Sequence, residues 1–310
     1  MAGRASWLVI GAGAAGSIHV RQLIARGYAV TVADADPARA QALAQATGAT
    51  AGDLEGEFRG AVIATPANTR LPLVERALQL AEVLVCEKPL ALTAEDAQEI
   101  AAMAPGRVYI AESQCYGGAD GLEVRRMADR IAGGEFGRPV VWRVRAMTKY
   151  RPQSWCQDLS VGGGAFMEGG VHMLTTARVL FGEAVKWQGS VRNFSGGTGP
   201  DTGTFIIDYE RGDCLTLDLA WGSEGCFTGQ CVPFASACGI VGPVRCEAWW
   251  PPDNHAAMWE HLSRCLRGGE EPVATLEHAA GAVADVWRCY VAAGIEPPGT
   301  PRARRKTPAG

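Results

Sequence analysis

Residues 7–36 read WLVIGAGAAGSIHVRQLIARGYAVTVADAD, and this stretch decides the fold. Leu8, Val9 and Ile10 form a continuous apolar run of the kind that makes a strand buried on both faces. Gly11, Gly13 and Gly16 follow in G-x-G-x-x-G spacing. Ile18, Leu23 and Ile24 then recur at helical intervals up to Gly27, and Ala29 to Ala33 reads as a second strand that ends on Asp34. A strand–turn–helix–strand unit of about 30 residues is the setting in which this glycine pattern binds a dinucleotide. The first glycine permits the turn, the second admits a pyrophosphate, and the third lets helix and strand pack closely. The helix start offers free N–H groups and a partial positive charge to the phosphates. Asp34 stands 18 residues after Gly16, close to the ~20 expected of an acid that accepts from the adenosine ribose hydroxyls. Gly11, Ala12, Gly13, Ala14, Ala15, Gly16 and Asp34 are therefore the expected cofactor contacts. A carboxylate at that position repels a 2′-phosphate, so the expected cofactor is NAD rather than NADP.

Outward from this unit, strands and helices keep alternating. Pro37 opens a helix that Gly48 stops, and Ala61 to Ala64 is a strand ending in Thr65-Pro66. Asn68 is placed to cap a helix to about Leu80. Val83 to Cys86 is a strand running into Glu87-Lys88-Pro89, Thr93 caps the next helix, and Val108 to Ala111 closes the series. This order predicts an α/β fold with a doubly wound parallel Rossmann sheet over residues 1–116, with ligands at the carboxyl ends of its strands. Thr65, Pro66, Asn68, Glu87 and Lys88 then join the cofactor rim. From about residue 117 the pattern changes. A helix over Glu123 to Ala132 precedes alternating stretches at Val140 to Arg145, Thr204 to Tyr209 and Cys214 to Trp221. These predict an α+β substrate and oligomerisation domain, residues 117–296, around a mostly antiparallel open sheet. Three helices, about Met173 to Leu180, Ala256 to Leu266 and Leu276 to Ala293, accompany it. Residues 225–250 are rich in Gly, Pro and Cys and take no assignment.

Composition narrows the function. The 310 residues are 47% hydrophobic and 20% charged with net charge −4, and mean hydropathy is near zero, as in globular proteins. Residues 297–310 carry Arg302, Arg304, Arg305 and Lys306 without an acid and read as a disordered tail. Without those four cations the body stands at about −8, which argues against nucleic acid as a partner. No apolar run approaches the ~18 residues of a membrane span, and the N-terminus leads directly into a strand with no separate signal segment, so a cytoplasmic location is expected. The ten cysteines are expected to be reduced packing residues. Cys226, Cys231, Cys238 and Cys246 cluster without the C-x-x-C spacing of a zinc site, so no metal is expected.

Four local signals stand in order: GAGAAGSIH from Gly11, ATPANTR from Ala64, VCEKPLALT from Val85, and WCQDLSVGGGAFMEGGVH from Trp155. Together they resemble the Gfo/Idh/MocA family of sugar and inositol oxidoreductases, over about Trp7 to Trp221 and again in the last two helices. The resemblance implies that Lys88 reaches both nicotinamide and substrate, through a cis bond to Pro89, and that His172 is the acid/base. It also implies pairing through the open sheet into a homodimer or homotetramer; Arg143, Arg145, Thr216 and Asp218 lie on its polar face. The residues themselves suit alcohol oxidation. A histidine can take a proton at neutral pH, and a lysine can stabilise a developing alkoxide. Glu168, four residues before His172, shares its helical face and is expected to orient the imidazole or bind a hydroxyl. Tyr116 and Trp155 are expected to wall a substrate pocket shared with Glu168 and His172. The remaining histidines, His19, His255, His261 and His278, read mainly as structural, with His19 near enough to the glycines for a cofactor contact. Two departures from the family pattern stand out: Glu168 occupies the place of an aspartate, and Thr175 that of a second aspartate. The expected function is NAD-dependent hydride transfer to or from a sugar, cyclitol or related polyhydroxylated small molecule. An oxo or imine reductase of a specialised pathway and a non-catalytic dinucleotide sensor are the alternatives.

Overall fold

A computed structural model describes residues 6–116, 122–148, 154–221, 235–236, 239–240 and 254–297. The cysteine cluster and residues 298–310 of the tail lie outside these residues.

Strand β1 (Ser6–Ile10) leads through the glycine turn into α1 (Ala14–Ala25), and β2 (Ala29–Ala33) and α2 (Pro37–Thr47) follow. Asp36 Oδ1 accepts from Ala38 N to cap α2, Pro37 sits at its first turn, and Gly48 ends it at φ 79°. Then come β3 (Thr50–Ala51), β4 (Phe58–Ile63), α3 (Arg70–Ala77), β5 (Ala81–Glu87), α4 (Ala94–Met103) and β6 (Val108–Ala111). Thr93 caps α4, its hydroxyl accepting from Asp96 N at 3.1 Å. The six strands form one parallel sheet in the order β3-β2-β1-β4-β5-β6. Leu8, Val9, Val62, Leu84 and Val85 are fully buried in it, as expected where helices cover both faces. The order reverses between β1 and β4, the switch point at which such sheets bind ligands.

Asn68 is not a helix cap. It lies inside a 3₁₀ turn, Ala67–Thr69, and α3 follows without a side-chain cap. The turn places Arg70 two positions later, where it has a different task described below.

The second half holds α5 (Glu123–Ala132), β7 (Val141–Thr148), α6 (Val171–Phe181), β8 (Ala184–Arg192), β9 (Thr202–Tyr209) and β10 (Cys214–Trp221), and then β11 (Ala235–Ser236) and β12 (Gly239–Ile240), which pair with each other. The main sheet runs β7-β10-β9-β8. Trp142, Val144, Leu215 and Leu217 are buried on one face, while Arg143 and Arg145 are exposed on the other. The sheet is mixed, because β7 and β10 run parallel with Trp142 opposite Leu215. Alternation marks a half-buried strand but not its direction, and the long connection through α6 supplies the crossover that parallel pairing needs.

The last two helices, α7 (Asn254–Cys265) and α8 (Leu276–Ala292), return to the first half of the molecule. On α7, Trp259 Nε1 donates to His19 Nδ1 at 3.0 Å, and Arg26 Nη2 donates to Ala256 O at 2.9 Å. On α8, Trp287 Nε1 donates to Leu92 O and Tyr290 Oη to Gly163 O, each at 2.7 Å. The segment after Lys88 and the glycine run before Glu168 are thus tied to one helix. Arg178 of α6 forms a buried two-pronged pair with Asp285 of α8, Nε to Oδ2 at 2.6 Å and Nη2 to Oδ1 at 3.1 Å.

Candidate active site

The glycine turn fits a dinucleotide. A Cβ at Gly11, whose φ is 106°, would lie 2.5 Å from Ala64 O, and one at Gly16 would lie 1.8 Å from Gly11 O. Both positions are closed to any side chain. At Gly13, by contrast, an added Cβ would meet only the Arg39 guanidinium, at 3.6 Å. Gly13 is also the N-cap of α1, with no side-chain cap and no acid in the first turn. The first amides of the helix are therefore left for a phosphate, beside a guanidinium. Asp34 Oδ2 accepts from Ala12 N at 2.6 Å and Oδ1 from Asp36 N at 2.9 Å, which fixes the carboxylate at the mouth of the turn.

Across the switch point, Arg70 joins two loops. It is 2% exposed. Its Nε and Nη2 donate to Thr65 O at 3.2 and 2.9 Å, and its Nη1 donates to Pro89 O. Burial works to lower the guanidinium pKa, while nearby Cys86, Glu87 and Glu168 oppose it. The Lys88–Pro89 bond is cis. Lys88 Nζ donates to Glu168 O and to Glu168 Oε1, both at 2.9 Å. Burial opposes the charge on Lys88, but Glu168, Glu87 and Glu112 outweigh it and hold the ammonium above its ordinary pKa.

Glu87 is turned inward. Its Oε2 accepts from Lys88 N at 3.0 Å, and its Oε1 lies 2.8 Å from His19 Nε2. The indole of Trp259 can only donate, so His19 Nδ1 accepts and Nε2 carries the proton to Glu87. Burial alone would raise the Glu87 carboxyl. The hydrogen bond from His19 and the charges of Lys88 and Arg70 bring it down to about 2.

His172 stands in the first turn of α6 and is 8% exposed. Its Nδ1 is bonded to Oε1 of Glu112, the residue that follows β6. Glu112 is fully buried, and Oε2 has no hydrogen-bond partner among the described residues. With the carboxylate accepting from Nδ1–H, the Nε2 lone pair is the basic atom. Glu112 also contributes to the field on Lys88, so the two groups expected to share one substrate oxygen share one buried anion.

The profile of an oxidoreductase family with an NAD-binding Rossmann fold matches residues 5–110, and that of the GFO/IDH/MocA C-terminal domain matches residues 124–232. The rhizopine catabolism protein MocA of Rhizobium meliloti is 30% identical over 89% of this chain and 90% of its own. This chain belongs to the Gfo/Idh/MocA family. The D-apiose dehydrogenase of Paraburkholderia graminis is 28% identical over 82% of this chain and 78% of its own. Among solved structures, GenD2 from gentamicin A biosynthesis, in complex with NAD, superposes with a TM-score of 0.76 at 22% identity, covering 95% of each chain. The chain is an NAD(P)-dependent dehydrogenase or reductase with the two-part architecture of its family.

Within the family frame, several expected residues meet and others do not. Lys88 and Glu168 meet directly, and His172 is joined to them through Glu112, which bonds its ring and acts on the Lys88 ammonium. Glu168, however, pairs with Lys88 rather than with His172. Residues Phe166–Gly170 form a π-helical turn ahead of α6. This widening of the turn removes the i, i+4 relation that would have aligned the two side chains. Tyr116 does not stand open as a pocket wall: it is 1% exposed and packs on His261 with ring centroids 5.4 Å apart. Trp155 is half-buried in a short 3₁₀ turn, Ser154–Gln157. His19 has both ring nitrogens engaged inside the fold, which removes it as a cofactor contact. Thr175 is buried on α6. Sequence reasoning missed Glu112, Arg70 and Arg39. Arg70 lay within the quoted ATPANTR motif, but Glu112 carried no local signal.

Proposed function

We propose that this protein is an NAD-dependent dehydrogenase acting on a sugar, cyclitol or related polyhydroxylated small molecule. The observation that carries the reading is the pairing of two acid-supported groups in one cluster: Lys88 on Glu168, and His172 on Glu112. Gly11 to Gly16, Asp34, Thr65, Pro66 and the 87–88 segment would hold the dinucleotide, which when bound supplies the hydride acceptor. His172 Nε2 takes the hydroxyl proton as the carbon gives up its hydride, and Glu112 keeps the ring turned and balances the imidazolium that results. Lys88, kept as an ammonium, holds the same oxygen while its negative charge develops and the carbonyl forms. Run in reverse, the same residues return a proton to a carbonyl. Asp34 supports NAD over NADP, because a carboxylate there accepts from ribose hydroxyls and repels a phosphate.

The test is a panel of polyols and keto-sugars, among them myo-inositol, D-glucose and D-apiose, with NADH absorbance as readout. NADH formation from at least one polyol is expected. Oxidation of NADH by oxo compounds, with no polyol oxidised, would favour a biosynthetic reductase instead. The replacement of an aspartate by Glu168, drawn onto Lys88, is the observation that favours that second reading. The exposed sheet face bearing Arg143, Arg145 and Asp218 supports assembly into a dimer or tetramer, to be read as mass by light scattering.

A further inference from the structure

Lys88 is gripped by its backbone from two sides. Arg70 Nη2 donates to its carbonyl oxygen at 3.4 Å, and Glu87 Oε2 accepts from its amide at 3.0 Å. Behind Glu87 runs a chain of hydrogen bonds that the proton and hydride transfers do not use. Glu87 Oε1 meets His19 Nε2 at 2.8 Å, and His19 Nδ1 accepts from Trp259 Nε1 at 3.0 Å. Glu87 is 4% exposed, His19 0% and Trp259 1%. The chain thus starts on α7, crosses α1 and ends on the amide of the residue that carries the ammonium.

Each link runs in one direction. An indole N–H only donates, so it holds His19 in the tautomer with the proton on Nε2. That proton faces the Glu87 carboxylate, whereas the other tautomer would set a lone pair against it. Burial would raise the Glu87 carboxyl, but the His19 bond and the charges of Lys88 and Arg70 bring it down to about 2, so it stays ionised. The indole is itself fixed, edge-on to Trp7 of β1, with ring centroids 5.4 Å apart and planes at 83°.

A buried carboxylate needs partners for its oxygens. Stability alone does not ask that one of them be the Lys88 amide, and it is this end of the chain that points to the reaction. We propose that Trp259, His19 and Glu87 are positioning residues for Lys88: the relay fixes the 87–88 peptide so that the ammonium meets the reacting oxygen. A misplacement of about 1 Å can cost about 10²-fold in rate even when its cause lies far from the chemistry. The inference rests on the proposed function and deepens it, by extending the support of the site to α7.

The experiment follows single-turnover hydride transfer to NAD from the fastest of three probes, myo-inositol, D-glucose and D-apiose, with NAD affinity measured separately by fluorescence. His19→Leu leaves Glu87 and Trp259 each without a partner and should slow transfer roughly tenfold or more, the worth of a hydrogen bond to a charged group. His19→Gln, which keeps a donor for Glu87 and an acceptor for Trp259, should recover most of the rate. Trp259→Phe removes the N–H but keeps an aromatic ring against Trp7. It should slow transfer roughly threefold to tenfold, and it carries the test should His19→Leu fail to fold. NAD affinity should be nearly unchanged in all of them. The deciding measurement is a double-mutant cycle with Lys88→Ala. A relay that acts through Lys88 has nothing left to position once that side chain is gone, so each change should slow transfer in wild type and alter it little in Lys88→Ala. An equal loss in the Lys88→Ala background, a matching loss of NAD affinity, or wild-type transfer in both His19→Leu and Trp259→Phe would each overturn the inference, while turnover by wild type that Lys88→Ala slows leaves the dehydrogenase reading standing. No turnover of any of the three probes by wild type would instead remove the dehydrogenase reading, and this inference with it.

Discussion

Glu112 holds Nδ1 of His172 from the end of β6, across 60 residues of chain. The carboxylate sets the tautomer and leaves Nε2 as the basic atom. Glu112→Gln replaces an anion by an amide that can present either end to the ring. The turnover number should fall at least ~10-fold and at most about 10⁴-fold, the loss known for a catalytic histidine whose orienting carboxylate becomes an amide. KM should change little. A Glu112→Gln enzyme with wild-type turnover would show that His172 needs no such support.

Lys88 carries a raised pKa because Glu168, Glu87 and Glu112 outweigh its burial. Its ammonium is therefore complete throughout the neutral range, and activity lost with its proton disappears only above the ordinary lysine value of ~10.4. Glu168→Gln removes the largest of those anionic supports. The ammonium then loses its proton at lower pH, so the alkaline limb of the turnover profile should move toward neutrality. An unmoved alkaline limb would contradict the Lys88–Glu168 coupling.

Asp34 is the determinant proposed for cofactor choice, and it also accepts from Ala12 N and Asp36 N. Asp34→Ser should weaken NADH and strengthen NADPH, shifting the ratio of dissociation constants by roughly tenfold or more, about 1.4 kcal/mol. Fluorescence titration with both cofactors measures it. An unchanged ratio would place selectivity elsewhere, with Arg39 the first residue to examine.

Asp285 stands 0% exposed opposite Arg178 at 3%. Asp285→Ala removes the buried partner and leaves Arg178 with only the exposed Glu183, 2.7 Å from Nη1, so it should cost up to about 3 kcal/mol of stability, the low end for breaking a buried pair. Urea unfolding should show a lowered midpoint. Replacing both residues with apolar ones should cost less, since the uncompensated charge goes too.

The sequence was most legible where signals are local. The apolar run, glycines and acid of residues 7–36 located β1, α1 and β2 closely, and Thr93 with Asp96 marked the start of α4. Strand β8 went unread because it lies along an edge with most of its side chains in solvent, so it shows no apolar alternation. The direction of β7 against β10 went unread because both directions produce the same alternation. Lys88, Glu168 and His172 were visible through motif and spacing, but their partners were not. Glu112 and His172 meet only when β6 and α6 are packed, and the Lys88–Glu168 bond depends on a π-helical turn that five ordinary residues do not announce.

In the proposed function His172 moves the proton while Lys88 holds the oxygen, and single-turnover hydride transfer tests this division of roles most directly. The assay uses wild type, His172→Ala and Lys88→Ala, each saturated with cofactor whose affinity is measured separately. His172→Ala should slow transfer by roughly 10²–10⁴-fold, the usual worth of general acid–base help, and Lys88→Ala by at least as much, with cofactor affinity nearly unchanged in the histidine variant. Near wild-type transfer in both variants would mean that the proton leaves by another route, and the assignment of the site would be wrong.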